Sequence, residues 1–132
     1  MGYEFRATRM VEFSDTDMAG IMHFSNFFRF METAEHGFYR SLGFSVAMEK
    51  ALGLGWPRVK AECEYKYPLQ FEDVVEIHML VRKIGARSIT LDFHFSKMEN
   101  GERIIASARW GLPSPAFALE GRNSDPGVSD RV

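Results

Sequence analysis

The stretch from Asn26 to Leu42 constrains this chain more than any other, because it reads as a helix too apolar to stand alone. Phe27, Met31, Ala34, Phe38 and Leu42 recur at steps of three and four, and Phe28, Phe30 and Tyr39 widen the apolar arc. Such a helix must be largely enclosed by the rest of the chain. Ser25 stands where an N-cap is wanted, and Gly43 where a left-handed residue ends a helix. At 1.5 Å per residue the helix is roughly 25 Å long, and strands of about ten residues reach roughly 33 Å, long enough to wrap it lengthwise.

The flanking sequence supplies those strands. Residues 3–13 place Tyr3, Phe5, Ala7, Val11 and Phe13 opposite Glu4, Arg6, Thr8 and Glu12. Residues 58–67 alternate Val59, Ala61, Cys63, Tyr65 and Tyr67 with charged neighbours. Residues 73–82 carry Val75, Ile77, Met79 and Val81 on one face, and residues 88–96 carry Ile89, Leu91, Phe93 and Phe95. Residues 103–112 carry Ile104, Ala106, Ala108, Trp110 and Leu112. Asn100-Gly101 suits a tight hairpin turn, and Ile84-Gly85-Ala86 can turn the pair before it, so the last four strands are expected to form an antiparallel meander. The expectation is an α+β domain over residues 1–112, five strands curled around one helix, with a short second helix over 45–52. Residues 113–132, rich in Pro, Ser, Asn, Asp and Gly, are expected to be a mobile polar tail.

Composition narrows the function. A chain of 132 residues with 45% hydrophobic residues can bury a core, and a net charge of −2 attracts neither nucleic acid nor an anionic membrane in bulk. The lone Cys63 makes no internal disulfide and falls on an apolar strand face, where a buried, inert thiol is expected. No signal core or membrane-length apolar run is present, so a soluble cytoplasmic protein is expected.

Chemistry concentrates between the first strand and the helix. Residues 14–26 hold Asp15, Asp17, Gly20 and His23 on a loop feeding the helix start, where free backbone N–H groups and the positive end of the helix dipole can stabilise an oxyanion. The same residues can also be read as Asx turns with a packed histidine. Glu32, Glu35 and His36 share the helix, with Glu32 and His36 one turn apart, but no second carboxylate-histidine pair accompanies them, and no metal is expected. His78 and His94 fall on polar strand faces. Neither a Gly-x-Ser-x-Gly elbow nor a Walker A loop occurs, and Gly53-Leu54-Gly55 lacks the third glycine of a dinucleotide site.

Glu12-Phe13-Ser14-Asp15-Thr16-Asp17-Met18-Ala19-Gly20-Ile21, followed by His23-Phe24-Ser25-Asn26-Phe27-Phe28, resembles the signature of the 4-hydroxybenzoyl-CoA thioesterase family of hotdog-fold proteins. Phe71-Glu72-Asp73-Val74-Val75 and the hairpin ending in Arg87-Ser88 extend the likeness to roughly residues 5–112. The resemblance implies a hotdog fold and hydrolysis of an acyl-CoA or aroyl-CoA thioester without a cofactor. It makes Asp17 the catalytic carboxylate, as nucleophile or general base, and the backbone N–H of Phe24 the oxyanion donor. A thiol of pKa about 8.5 leaves without a strong general acid, so little more is required. His23 can orient Asp17, move a proton or pack; some relatives have an aromatic residue there, and others have a histidine one place later. Arg82, Lys83 and Arg87 on the hairpin are candidates for the phosphates of coenzyme A. The resemblance further implies a homodimer, paired into a tetramer, with a small-molecule acyl-CoA partner. Two other classes compete: a non-catalytic acyl or acyl-CoA binding module, which has no need of Asp17, and a hotdog hydratase or dehydratase. Twelve phenylalanines and eight methionines suit an apolar pocket, but most must build the core, so the acyl group stays open.

Overall fold

The structure, a computed structural model, describes residues 4–43, 54–55, 58–86, 88–107, 116–120 and 122–123. One long helix, α1 (Asn26–Ser41), lies against an antiparallel sheet. The strands are β1 (Glu4–Met10), β2 (Leu54–Gly55), β3 (Arg58–Glu62), β4 (Val74–Ile84), β5 (Ser88–Glu99), β6 (Glu102–Ser107), β7 (Ala116–Glu120) and β8 (Arg122–Asn123). The order across the main sheet is β1-β4-β5-β7-β3, with β6 also paired to β5, while β2 and β8 form a separate two-stranded ribbon.

The helix forms where its period requires. Phe27, Phe30, Met31, Ala34 and Phe38 make one buried stripe, facing Val75, Ile77 and Met79 of β4 and Leu91, Phe93 and Phe95 of β5. Ring contacts lock the two layers: Phe27 meets Phe95 at 5.1 Å between centroids, and Phe38 meets Phe5 at 6.2 Å. Gly43 takes φ 82°, ending the helix as expected. Ser25 does not cap it through its side chain; its hydroxyl is engaged by the His23 ring instead. Leu42, past the last helical residue, is exposed.

The alternation of β4 and β5 appears as read, and Asn100 and Gly101 form the hairpin turn with φ 52° and 80°. Three expectations differ. First, β3 is not β4's neighbour: β1 takes that edge, from Glu4↔Leu80 to Met10↔Val74, so β3 pairs with β7 across the sheet and the four-strand meander is replaced by a crossover. Second, β3 stops at Glu62, because Lys66 N and Tyr67 N both turn to the Ala106 carbonyl (2.9 and 3.2 Å) and carry 63–67 away from β3's ladder. Third, Ala116–Glu120, within the expected mobile tail, is a strand paired with both β3 and β5, so the sheet has six strands rather than five. Phe13 is exposed although alternation put it inside, because β1 ends at Met10 and a 3-10 turn over Phe13–Asp15 breaks the phase. Strand β6 covers Glu102–Ser107 of the strand expected over 103–112; residues 108–112 and the expected short helix over 45–52 lie outside the described residues. Among the described residues, no helix is long and apolar enough to cross a membrane.

The buried face of the helix carries a charge. Glu35 occupies a position of the buried stripe at 4% exposure and binds Arg58 Nη2 of β3 at 2.6 Å, with the Tyr39 hydroxyl donating to its other oxygen at 3.0 Å. Arg58 Nη1 reaches Glu32 at 3.0 Å. Burial raises the Glu35 carboxyl above its ordinary range, with Arg58 opposing the shift. Removing the counter-charge in Arg58→Met is expected to destabilise the fold at pH 7 by about 2 kcal/mol, less than for a fully buried pair because Arg58 is partly exposed. A carboxyl whose folded pKa is raised binds its proton more tightly in the folded state. The variant's deficit therefore shrinks as pH falls through that pKa toward the unfolded value. Urea unfolding of both proteins between pH 4.5 and 8 checks the magnitude and the sign.

Candidate active site

The loop from Val11 to Asn26 is pinned by its backbone. Val11 N donates to Asp73 O and Glu72 N to Val11 O, both at 2.8 Å; Met22 N donates to Leu69 O, and Ile21 bridges Gln70. Asp15 is buried and structural: its carboxylate accepts the Glu12 N–H at 2.8 Å, and its carbonyl accepts His23 N and Asn26 Nδ2. The first carboxylate of the pair thus organises the turn.

Asp17 stands at the base of a small hairpin closed by Thr16↔Met22 and by Asp17 N donating to Ile21 O at 3.0 Å. Gly20 turns the tip with φ 82°, a left-handed conformation that suits glycine. Asp17 Oδ1 accepts the Ala19 N–H at 2.8 Å, fixing the carboxylate, and Oδ2 has no protein partner among the described residues. Asp17 lines a cleft of about 440 Å³ with Ile21, Met22 and Leu69, the rings of Phe24, Phe27, Tyr65 and Tyr67, and Lys66 and Pro68. Asp17 thus lies beside a cleft walled by four aromatic rings near the start of the helix.

The helix start opens on the same cleft. Among the described residues, the Phe24 N–H has no hydrogen-bond acceptor, whereas Asn26 N donates to His23 O. His23 stacks on Phe24 at 4.4 Å, and its Nδ1 accepts the Ser25 N–H at 3.2 Å and meets the Ser25 hydroxyl at 2.8 Å. With Nδ1 accepting the Ser25 N–H, the His23 ring closes the turn that leads into the helix; the first helical amides bond to backbone instead, Phe27 N to Phe24 O and Phe28 N to Ser25 O, both at 3.3 Å. His23 does not line the cleft with Asp17.

Sequence reading overlooked two groups. Tyr65 donates its hydroxyl to Phe24 O at 3.1 Å and packs edge-on against Phe27 at 4.9 Å and Phe24 at 6.3 Å. Burial, with Cys63 alongside, pushes its hydroxyl up to about 12, so it keeps the proton it donates. Lys97, buried on β5, binds Asp73 at 2.7 Å and Glu99 at 3.3 Å beneath the Tyr67 ring, and Tyr67 donates to Glu99 at 3.2 Å. These bonds to Asp73 and Glu99 raise the Lys97 ammonium pKa against burial, which pulls the other way. The network fixes the wall opposite Asp17. Of the hairpin cations, Arg82 pairs with Asp92 at 2.6 Å, Lys83 is exposed, and the Arg87 side chain lies outside the described residues. His78 on β4 pairs with Glu4 and faces His94 of β5, whose pKa is lowered by burial and by His78.

An antiparallel sheet laid around one helix, with a carboxylate loop feeding the helix start, defines the hotdog class. The sequence pattern of the thioesterase-like superfamily matches residues 11–111, and the chain belongs to that family. A protein of Aquifex aeolicus, given in its name no more than provisional esterase status, is 39% identical over 85 residues, 64% of this chain and 66% of that one. The 1,4-dihydroxy-2-naphthoyl-CoA hydrolase of Prochlorococcus marinus is 33% identical over 107 residues, 73% of this chain. This chain spans 66% of the length of each of these two relatives. Among solved structures, a gentisyl-coenzyme A thioesterase superposes with a TM-score of 0.72 at 32% identity, covering 93% of this chain and 89% of that one.

Tyr65→Phe keeps the ring contacts and deletes the hydroxyl's bond to the Phe24 carbonyl, together with its interaction with Cys63. Loss of that bond, about 1 kcal/mol, is expected to speed amide hydrogen exchange at Phe27 and Phe28 about fivefold, as read by exchange mass spectrometry or NMR.

Proposed function

We propose that the chain hydrolyses a coenzyme A thioester of an aromatic acid to the free acid and coenzyme A. The observation that carries this reading is the unpartnered Oδ2 of Asp17 beside an aromatic-walled cleft and an unsatisfied helix-start N–H. The carbonyl carbon is held near Asp17, and the carbonyl oxygen accepts the Phe24 N–H, whose local dipole belongs to a 16-residue helix. Asp17 then acts in one of two ways. As general base it takes a proton from water while the water oxygen bonds to the carbonyl carbon. As nucleophile it forms a mixed anhydride that water opens. In both routes the carbon–sulfur bond breaks and the thiolate leaves to take up a proton. His23 serves as a positioning residue that closes the turn into the helix. No metal or redox group enters the scheme.

Four rings around the cleft support an aroyl rather than a short aliphatic acyl group, because flat faces and ring edges gain from stacking. The naphthoyl-CoA and gentisyl-CoA names of two relatives agree with that preference. A 4-hydroxybenzoyl group is one member of the class. Lys83 and the other hairpin cations remain candidates for the phosphates of coenzyme A. A homodimer, pairing into a tetramer, completes the reading: Phe24, Tyr65, Phe13 and Phe71 are exposed, Phe13 and Phe71 in edge contact, and a second copy would cover them. The compartment proposed is the cytoplasm, in keeping with a Cys63 that forms no disulfide.

Thiol release from a panel of aliphatic and aromatic acyl-CoA esters tests the reading. Asp17→Asn is expected to lose at least about a hundredfold in kcat, roughly 2.7 kcal/mol, with its circular dichroism unchanged. Equal slow rates in both proteins, with acyl-CoA still bound, favour a binding module. Light scattering is expected to give a dimer or tetramer mass; a monomer at assay concentration removes the oligomer from the reading.

A further inference from the structure

A second cleft, of about 540 Å³, runs along the outer face of α1 and is lined by Arg9, Arg29, Glu32, Thr33, His36 and Arg40. Arg29, Thr33, His36 and Arg40 follow at steps of four, three and four, so they form one stripe of the helix, and Arg9 enters from β1. In a chain of net charge −2, three guanidiniums line this groove with one carboxylate, Glu32, which shares Arg58 (3.0 Å) with Glu35.

The cations are not equally free. Arg9 is held in place: Nη1 donates to Thr33 Oγ1 at 2.8 Å, the guanidinium lies 4.2 Å above the Phe30 ring, and Asp15 is 3.9 Å away. Arg29 and Arg40 are exposed and have no carboxylate partner among the described residues. Like charges gathered without counter-charges repel one another, and a bound anion relieves that repulsion. A guanidinium fork matches two phosphate oxygens at once, and a pre-set one such as Arg9 loses little freedom on binding. Arg29 and Arg40 are eleven residues apart, about 16 Å along the axis, too far for one phosphate to satisfy both.

We propose that this groove binds a small molecule with two separated phosphate groups, of the nucleoside bisphosphate class, through Arg29 and Arg40, with Arg9 and Thr33 between them. That chemistry occurs both in the nucleotide end of a coenzyme A ester and in a free nucleotide. The hairpin is the weaker claimant, since Arg82 is committed to Asp92.

Calorimetric titration of the full chain with adenosine 3′,5′-bisphosphate, and separately with inorganic pyrophosphate, at low and moderate salt, tests the site. Saturable binding that weakens with salt is expected, with at least a tenfold loss in the double variant Arg29→Gln/Arg40→Gln and less than twofold change in Arg82→Gln. No binding, equal affinity in the double variant, or the loss appearing in Arg82→Gln instead overturns the proposal. If the double variant also raises KM for acyl-CoA by a similar factor, the substrate's own nucleotide end fills the groove. If KM is unmoved while binding is lost, a free nucleotide does; both outcomes keep the site. Asp17→Asn is expected to bind the bisphosphate as the wild type does, so failure of the thioesterase reading leaves this result standing.

Discussion

The loop from Val11 to Asn26 holds two carboxylates, a glycine and a histidine between two core elements, and it has one conformation because its backbone is tied to residues 69–73 at both ends. Val11 and Glu72–Asp73 exchange hydrogen bonds at one end, and Met22 and Ile21 meet Leu69 and Gln70 at the other. Val11, Met22 and Leu69 are buried there, so the ties are shielded from competing water. Asp15 spends its carboxylate and carbonyl inside the loop, which leaves Asp17 as the carboxylate facing the cleft. The second anchor, residues 69–73, is itself braced by Lys97 through Asp73. A lysine 5% exposed on β5 therefore bears on a loop far from it in sequence.

The site's two walls come from different sources. Asp17 and Phe24 come from the loop and helix start, whereas Tyr65 and Tyr67 come from a segment that has left the sheet. Tyr65 joins them by holding the Phe24 carbonyl. The helix end is thus constrained on one side by the His23 ring and on the other by a tyrosine hydroxyl. The amide between them stays open, which is the preorganisation that oxyanion stabilisation requires.

Much of this was legible beforehand, for definite reasons. The helix, β4 and β5 have strong periods, and Asn100-Gly101 has a turn preference that leaves little choice. The carboxylate loop stood out because polar chemistry interrupted two apolar elements. The partner of β3 was not legible, since pairing across a crossover leaves no local mark. Residues 63–67 keep a strand-like alternation although Lys66 N and Tyr67 N bond to the Ala106 carbonyl, so nothing local announced that Tyr65, Lys66 and Tyr67 line a cleft. Glu35 was considered only with Glu32 and His36 as a metal set, because its counter-charge, Arg58, lies on a strand 23 residues on. The Ala116–Glu120 strand was hidden by its Pro, Ser and Gly surroundings.

The division of β5's outer edge bears on the order in which the chain assembles. Strand β6 takes Phe95–Glu99 and β7 takes Ser88–Asp92, and β7 is the strand to which β3 pairs. A ribosome delivers β3 more than fifty residues before β7. The helix, β1, β4, β5 and β6 can settle on one another meanwhile, through pairings that include two tight hairpins. Strand β3, and with it the arginine that neutralises Glu35, then docks as a late step. A carboxyl facing the core thus waits for its counter-ion until β7 has been made, and neutral protonated Glu35 is the form that the growing chain can bury in the interval.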